Sequence, residues 1–227
     1  TTNLPFIQYC CRYQRNSGQT GTATAGFWQN VETLNSVPFA GKTITYSFYA
    51  RAGANWSPTS GNLGVVVYSG TGTDQNIFSG FTGSDLRLAT NVALTTTWQR
   101  FQFTATVGST VTQLGLTGLY TPVGTAGATD YLEITGVQLE LGSIATTFKR
   151  SNGAGGTIQG ELAACQRYYY LHAYGAIGTA SMAGMGFYQA STEVDGIIAF
   201  PVTMRTTPTV VVPTGTNYYG LKANSTV

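Results

Sequence analysis

The chain has 227 residues and a mass of 24.0 kDa, with 42% hydrophobic and only 9% charged residues, against about 25% charged in an ordinary globular domain. Eleven Lys and Arg against nine Asp and Glu leave a net charge of +2, too little to neutralise a run of phosphates, which excludes a nucleic-acid partner. No run approaches the ~20 apolar residues of a membrane-spanning helix, and no basic start followed by an apolar stretch marks a signal peptide.

The chain reads as folded, because disordered chains pair high charge with few aromatics and this one has 12% aromatic residues. Its 29 Gly and 14 Tyr in a Thr-rich background are the vocabulary of half-buried strands joined by tight turns. In chain order the first feature is Cys10 beside Cys11, too close for a mutual disulfide. With Cys165 far along the sequence, the three read as buried free thiols of a protein assembled in a reducing cytoplasm. A bridge from Cys165 to Cys10 or Cys11 is the alternative.

Period-two alternation then marks strands. Over residues 42–50, Ile44, Tyr46 and Phe48 share one face, and Thr43, Thr45 and Ser47 the other. Residues 63–68 and 111–119 are further strands, and over 98–107 Phe101, Phe103, Ala105 and Val107 point inward. In residues 131–141 the inward parity changes from Leu132 and Ile134 to Val137, Leu139 and Leu141 across Gly136, which predicts a β-bulge. Turn-rich segments at 53–62, 69–76 and 121–129 space these strands as in an antiparallel sandwich. The predicted fold is all-β: a jelly-roll sandwich over residues 1–150, a Gly-rich linker at 151–160, and a smaller β-rich C-terminal domain over 161–227. Within that domain, residues 161–167 suggest a helical turn, 168–174 are aromatic, and 196–202 and 209–212 read as strands. Its small size and lack of an evident closing strand fit a truncated unit or one completed by a partner chain.

Catalytic and metal readings find little purchase. The one histidine, His172, lies in an aromatic run seven residues after Cys165, with no nucleophile-elbow pattern around it, and is read as packed or solvent-facing. Phosphate-loop, dinucleotide-fold, HExxH and CxxC patterns are missing. The nine carboxylates are scattered mostly in turns, so none pairs in sequence as the acid and base of a glycosidase. Asp130, Glu133, Glu140 and Glu32 could contribute to a calcium site, but solvated carboxylates are the simpler account. No catalytic residue, metal ligand or cofactor is assigned. Sugar binding instead needs aromatic faces flanked by amides and hydroxyls. Trp56, in the loop RAGANWSPTSGN, and Tyr120, at the start of another loop, are the candidate glycan-binding residues, with packing against neighbouring loops or chains as the alternative. Trp28 and Trp98, beside strand patterns, read as core or sheet-edge residues. Tyr188, Tyr218 and Tyr219 are the remaining loop-like aromatics.

Two stretches, FAGKTITYSFYARAG (39–53) and LTTTWQRFQFTATV (94–107), resemble the carbohydrate-binding-module-like sandwich of bacteriophage tail-fibre and virion proteins. The runs ITGVQLELGSIATTFKR (134–150) and GELAACQRYYY (160–170) are similar to the segment that leads from that sandwich into the C-terminal domain of such fibres, and FPVTMRTTPTVVV (200–212) resembles the strand pair that follows. The resemblance implies a non-enzymatic virion component assembled in the bacterial cytoplasm. It further implies a homotrimer that contacts other tail proteins and a host-surface glycan, without membrane insertion. A carbohydrate-binding module of a secreted bacterial enzyme and a fibre with depolymerase activity are the alternatives.

Overall fold

The computed structural model describes residues 4, 7–149, 156–172, 185–190 and 193–211, in two compact units, Thr1–Phe148 and Lys149–Val227. The first unit contains strands β1 (Cys11–Gln14), β2 (Ala25–Val31), β3 (Thr43–Ala52), β4 (Leu63–Gly70), β5 (Asp85–Val92), β6 (Gln99–Thr106), β7 (Gln113–Tyr120) and β8 (Tyr131–Leu141), with a short helix α1 (Thr33–Ser36). They form two four-stranded sheets, ordered β1-β8-β3-β6 and β2-β7-β4-β5, in which every pairing is antiparallel. First strand pairs with last, second with seventh, third with sixth and fourth with fifth. This is one long hairpin rolled across two layers, the jelly-roll topology.

The core lies between the sheets. Ile44, Tyr46 and Phe48 of β3 meet Leu63, Val65 and Val67 of β4 and Leu114 and Leu116 of β7, as the alternation of β3 requires. In β6 the inward set is the one its sequence indicates, with Phe101, Phe103 and Ala105 turned to the core and Arg100, Gln102 and Thr104 exposed. The bulge in β8 is present, but of the three residues expected to turn inward after it only Leu139 packs against the core, while Val137 and Leu141 are exposed. Gly136 adopts φ +57°, and the register with β3 slips between Ser47 and Tyr49, an arrangement that favours glycine.

The outward face of β3 was expected to be solvated, yet Thr45 and Ser47 are buried. The cause is the segment after β8, which doubles back over this sheet. Thr45 donates to Gly142 O, Gln138 to Thr146 Oγ1, and Arg100 to Thr146 O. Farther along the same face, Glu133 accepts from Arg12 and Arg51, Arg12 lies over the Tyr131 ring, and Arg51 lies over Trp98. Burial alone would raise the Glu133 carboxyl, but the hydrogen bonds from Arg51 and Arg12 outweigh it and hold it below the ordinary carboxylate range.

In the second unit, helix α2 (Ile158–Gln166) is followed by a hairpin of β9 (Met185–Ala190) and β10 (Glu193–Ile197). Thr157 caps α2 by accepting from Gly160 N, so residues expected to end a Gly-rich linker form its first turn, a consequence of a hydroxyl placed where orphan N–H groups need an acceptor. The strand expected at 196–202 ends at Ile197, and residues 209–211 of the one expected at 209–212 are not extended into a sheet. Tyr218 and Tyr219 lie outside the described residues.

Glu133 supplies a pH test. Its depressed native pKa gives stability that is present above the unfolded value of about 4.3 and is lost as pH falls through the lower native value. Denaturant titrations between about pH 5 and pH 2 should show the wild type weakening on acidification. Glu133→Gln should start less stable at pH 7 and lose less over that interval.

Candidate functional site

The loops β1–β2, β3–β4 and β7–β8 meet at one end of the sandwich around a buried guanidinium. Arg15, 2% exposed, donates to Asp130 Oδ2 at 2.9 Å, to Ser57 Oγ at 3.0 Å, and to the carbonyls of Gln19, Gly21 and Gly124. Ser57 in turn donates to Asp130 Oδ2. One planar cation thus satisfies acceptors from all three loops, which a point charge on a flexible stem would do with less directional control. Removing one partner of such a buried pair strands the other charge. Sequence reasoning missed Arg15, since a single Arg in a polar turn has no periodicity to mark it.

Beside this lock lies an open cleft of about 390 Å³. Thr24 comes from the β1–β2 loop, Thr59, Ser60 and Asn62 from the β3–β4 loop, and Thr121 follows β7. The floor is Gly64 of β4, which pairs with Asn91 on one side and Leu119 on the other, and all three line the cleft. Tyr120 completes it. None of these lining residues carries a charge.

The two aromatic residues singled out in sequence come together here, differently from the expectation. Tyr120 is the last residue of β7 and only 4% exposed, because its strand parity points it toward the core rather than outward from a loop. Trp56 is half-buried and packs edge-on to Tyr120 with ring centroids 5.3 Å apart. Tyr120 also meets Tyr13 edge-on at 6.3 Å. Neither is a freely exposed stacking face. Trp56 Nε1 and Tyr120 Oη are buried without a partner of hydrogen-bonding geometry. Burial, helped by the negative charge of Asp130, pushes the Tyr120 phenol up to about 12.

Trp28 sits on the sheet-edge strand β2, and Trp98 immediately precedes β6. Their rings meet Phe78 and Arg51 respectively. His172 is wedged between the rings of Tyr170 and Phe200 at 4.5 and 4.9 Å, and the Tyr188 side chain lies outside the described set. Cys10, Cys11 and Cys165 are free, as expected, but exposed rather than buried; Cys11 opens β1, at the open edge of its sheet, and Cys10 immediately precedes it. The carboxylates of Asp130, Glu133, Asp85, Asp74 and Glu140 are each engaged by Arg, Thr or backbone donors. Among the described residues no three His, Cys, Asp or Glu side chains gather as a metal ion would need.

No family model and no curated protein matches this sequence. Solved structures do. The chain is similar to a CBM4 structure, at 20% identity over 58% of this chain and 70% of that one, TM-score 0.37. It is similar to the CBM22-1 xylan-binding domain from Paenibacillus barcinonensis Xyn10C, at 17% identity over 60% and 83%, TM-score 0.36. It is also similar to the enzymatically active domain of bacteriophage CBA120 tailspike protein 4, at 11% identity over 55% of this chain and 15% of that one, TM-score 0.34.

Two substitutions probe this end of the sandwich. Arg15→Ala should cost about 3–5 kcal/mol in a denaturant unfolding curve monitored by near-ultraviolet circular dichroism. Tyr120→Phe removes a hydroxyl that makes no hydrogen bond, so stability at pH 7 should hold or rise. A phenol with a raised native pKa contributes stability that is present below the unfolded value of about 10 and lost as pH climbs toward the native value of about 12. The Phe variant should therefore lose less stability than the wild type over that alkaline interval.

Proposed function

We propose that the chain is a non-catalytic, glycan-recognising component of a bacteriophage tail fibre or related virion appendage, and that the sandwich meets a host-surface glycan at the loop-end cleft. The lining of that cleft carries the reading. Hydroxyls of Thr24, Thr59, Ser60 and Thr121 and amides of Asn62 and Asn91 surround a floor opened by Gly64, and hydroxyls and amides both donate and accept as a polyol demands. Leu119 supplies apolar contact for sugar C–H faces. A charge-free lining favours a neutral sugar, since any anionic group there would lose its hydration without a cation in return.

The virion setting is supported by the segments at 134–150 and 160–170 that resemble the passage from sandwich to C-terminal domain in fibres. Three cysteines without a disulfide fit assembly in a reducing cytoplasm better than export as a module of a secreted enzyme. Self-association, as the homotrimer of a fibre, is supported by the second unit. Among those of its residues whose side chains are described none is buried, while Tyr169, Ile197 and, at 90% exposure, Val211 are exposed, a surface that association with further copies would cover.

Binding of the full chain to purified envelope polysaccharide of candidate hosts, and to plant cell-wall polysaccharide, tests the proposal by isothermal calorimetry with reducing-end assay of the supernatant. Host polysaccharide should bind without new reducing ends, and Asn91→Ala should weaken it about tenfold, equivalent to about 1.4 kcal/mol, with unchanged melting. Binding confined to plant polysaccharide would transfer the chain to the enzyme-module reading, and release of reducing ends would make it a depolymerase.

A further inference from the structure

The outward face of the sheet β2-β7-β4-β5 has features that the cleft does not account for. Its register sets out rows across the four strands. The row Gly26, Leu119, Gly64 and Asn91 runs into the cleft. The next row is Trp28, Thr117, Val66 and Ala89, and the one beyond it contains Gly115. Phe27, the neighbour of Trp28 on β2, packs against the core, so the Trp28 ring stands on the opposite, outward side, 49% exposed. Two residues along a strand are about 7 Å and three strand spacings about 14 Å, so the two rows make a strip much larger than one pyranose.

The β4–β5 loop, residues 71–84, covers the far end of this face and stops there. Ile77 and Phe81 crowd Gly115 so closely that a Cβ at that position would sit 2.5 Å from Ile77 and 3.2 Å from Phe81. The loop is tied down by backbone-to-side-chain bonds: Ile77 N to Asn30 Oδ1, Gln75 N to Gln113 Oε1, and a reciprocal pair between Thr33 and Asp74. So fastened, it nevertheless leaves Phe78 57% exposed, edge-on to Trp28 with centroids 4.2 Å apart. Two large aromatics held rigid and half in water stabilise the fold less than buried ones would, whereas a preorganised aromatic wall lowers the entropic cost of binding.

We infer that Trp28, buttressed by Phe78, is a second sugar-stacking position on the same binding face as the cleft, so that the chain binds a run of neutral pyranoses laid across β2, β7, β4 and β5 rather than a single terminal sugar. The inference rests on the glycan reading of the cleft. Two observations favour this occupant. Neither row contains a charged side chain, and the strip is continuous with the hydroxyl- and amide-rimmed cleft. Stacking acts through the ring face and adds to hydrogen bonding in the cleft, so affinity rises with oligomer length until both positions are filled.

Xylo-, cello- and malto-oligosaccharides of one to six units, with neutral host polysaccharide, are titrated against the full chain while acrylamide quenching of tryptophan emission is followed. The inference expects affinity to climb at least tenfold between monomer and hexamer for the sugar that binds, and bound hexamer to shield the exposed tryptophan from quencher. Trp28→Ala and Phe78→Ala should remove that length dependence with unchanged melting, and Trp28→Phe should retain part of it. If the hexamer binds and Asn91→Ala weakens binding about tenfold while Trp28→Ala changes neither affinity nor length dependence, the cleft reading stands and the second position is overturned. If no neutral sugar binds, both fall. A concentration-dependent mass in light scattering that Trp28→Ala abolishes would instead make this face a contact between copies of the chain.

Discussion

The loop end of the sandwich depends on where the Arg15 guanidinium sits. Five oxygens from three loops converge on it, and the same three loops supply Thr24, Thr59, Ser60, Asn62 and Thr121 to the cleft. A polar cleft built from short hydroxyl side chains has no stiffness of its own, because its side chains are small and its backbone is irregular. The buried cation provides that stiffness, for each loop must keep its carbonyl or carboxylate aimed inward or leave a charge unpaired away from water. Trp56 and Tyr120 sit against the same lock, with Ser57, the residue after Trp56, bonded to both Arg15 and Asp130. Their role here is to fill the space under the cleft, and Tyr120 turns only part of its surface toward it.

The two outward sheet faces have been put to different uses. One carries the chain that returns after β8, together with a ladder of Arg12, Glu133 and Arg51 in successive strands that ends on the Trp98 ring just before β6. Cross-strand pairs of this kind stabilise a sheet without requiring a second hydrophobic layer. On the other sheet the β4–β5 loop covers one end, and glycine at positions 26 and 64 keeps the other low. A Cβ at Gly26 would come within 2.1 Å of Gly118 O, so the close approach of β2 to β7 itself demands glycine there. What remains open is a shallow, uncharged surface bounded by aromatic rings at one side and amides at the other.

The parts of this arrangement that were legible in sequence are those governed by alternation. Strand β6 buries one parity along its length, β3 and β8 place one parity of apolar side chains in the core although their polar neighbours are covered as well, and the bulge at Gly136 shows as a parity change. Strands β1, β2 and β5 escaped notice for a shared reason. β1 is four exposed residues, β2 opens with Ala and Gly, and β5 mixes Arg, Thr and Asn into its run. They are three of the four edge strands, and unlike the fourth, β6, they show no regular burial of one parity. At the site, the turn-rich segment 121–129 gives Tyr120 the look of a loop residue, whereas strand parity through Leu114 and Leu116 sets its direction toward the core. The approach of Trp28 to Phe78, fifty residues apart in sequence, depends on how a loop folds over a sheet, and neither residue carries a local sign of it.

Nesting first strand with last also governs how the unit can be made. Arg12 and Glu133 are 121 residues apart, yet among the described residues β1 pairs with β8 alone, and Arg15 waits for Asp130 before its charge is met. The innermost pair, β4 with β5, is the most local in the sandwich, and every later pairing there encloses a longer loop whose closure entropy has to be met first. Such high contact order slows folding. On a ribosome, which delivers about 5–20 residues per second, the opening segment with its two adjacent thiols stays unpaired for several seconds until residues 131–141 emerge.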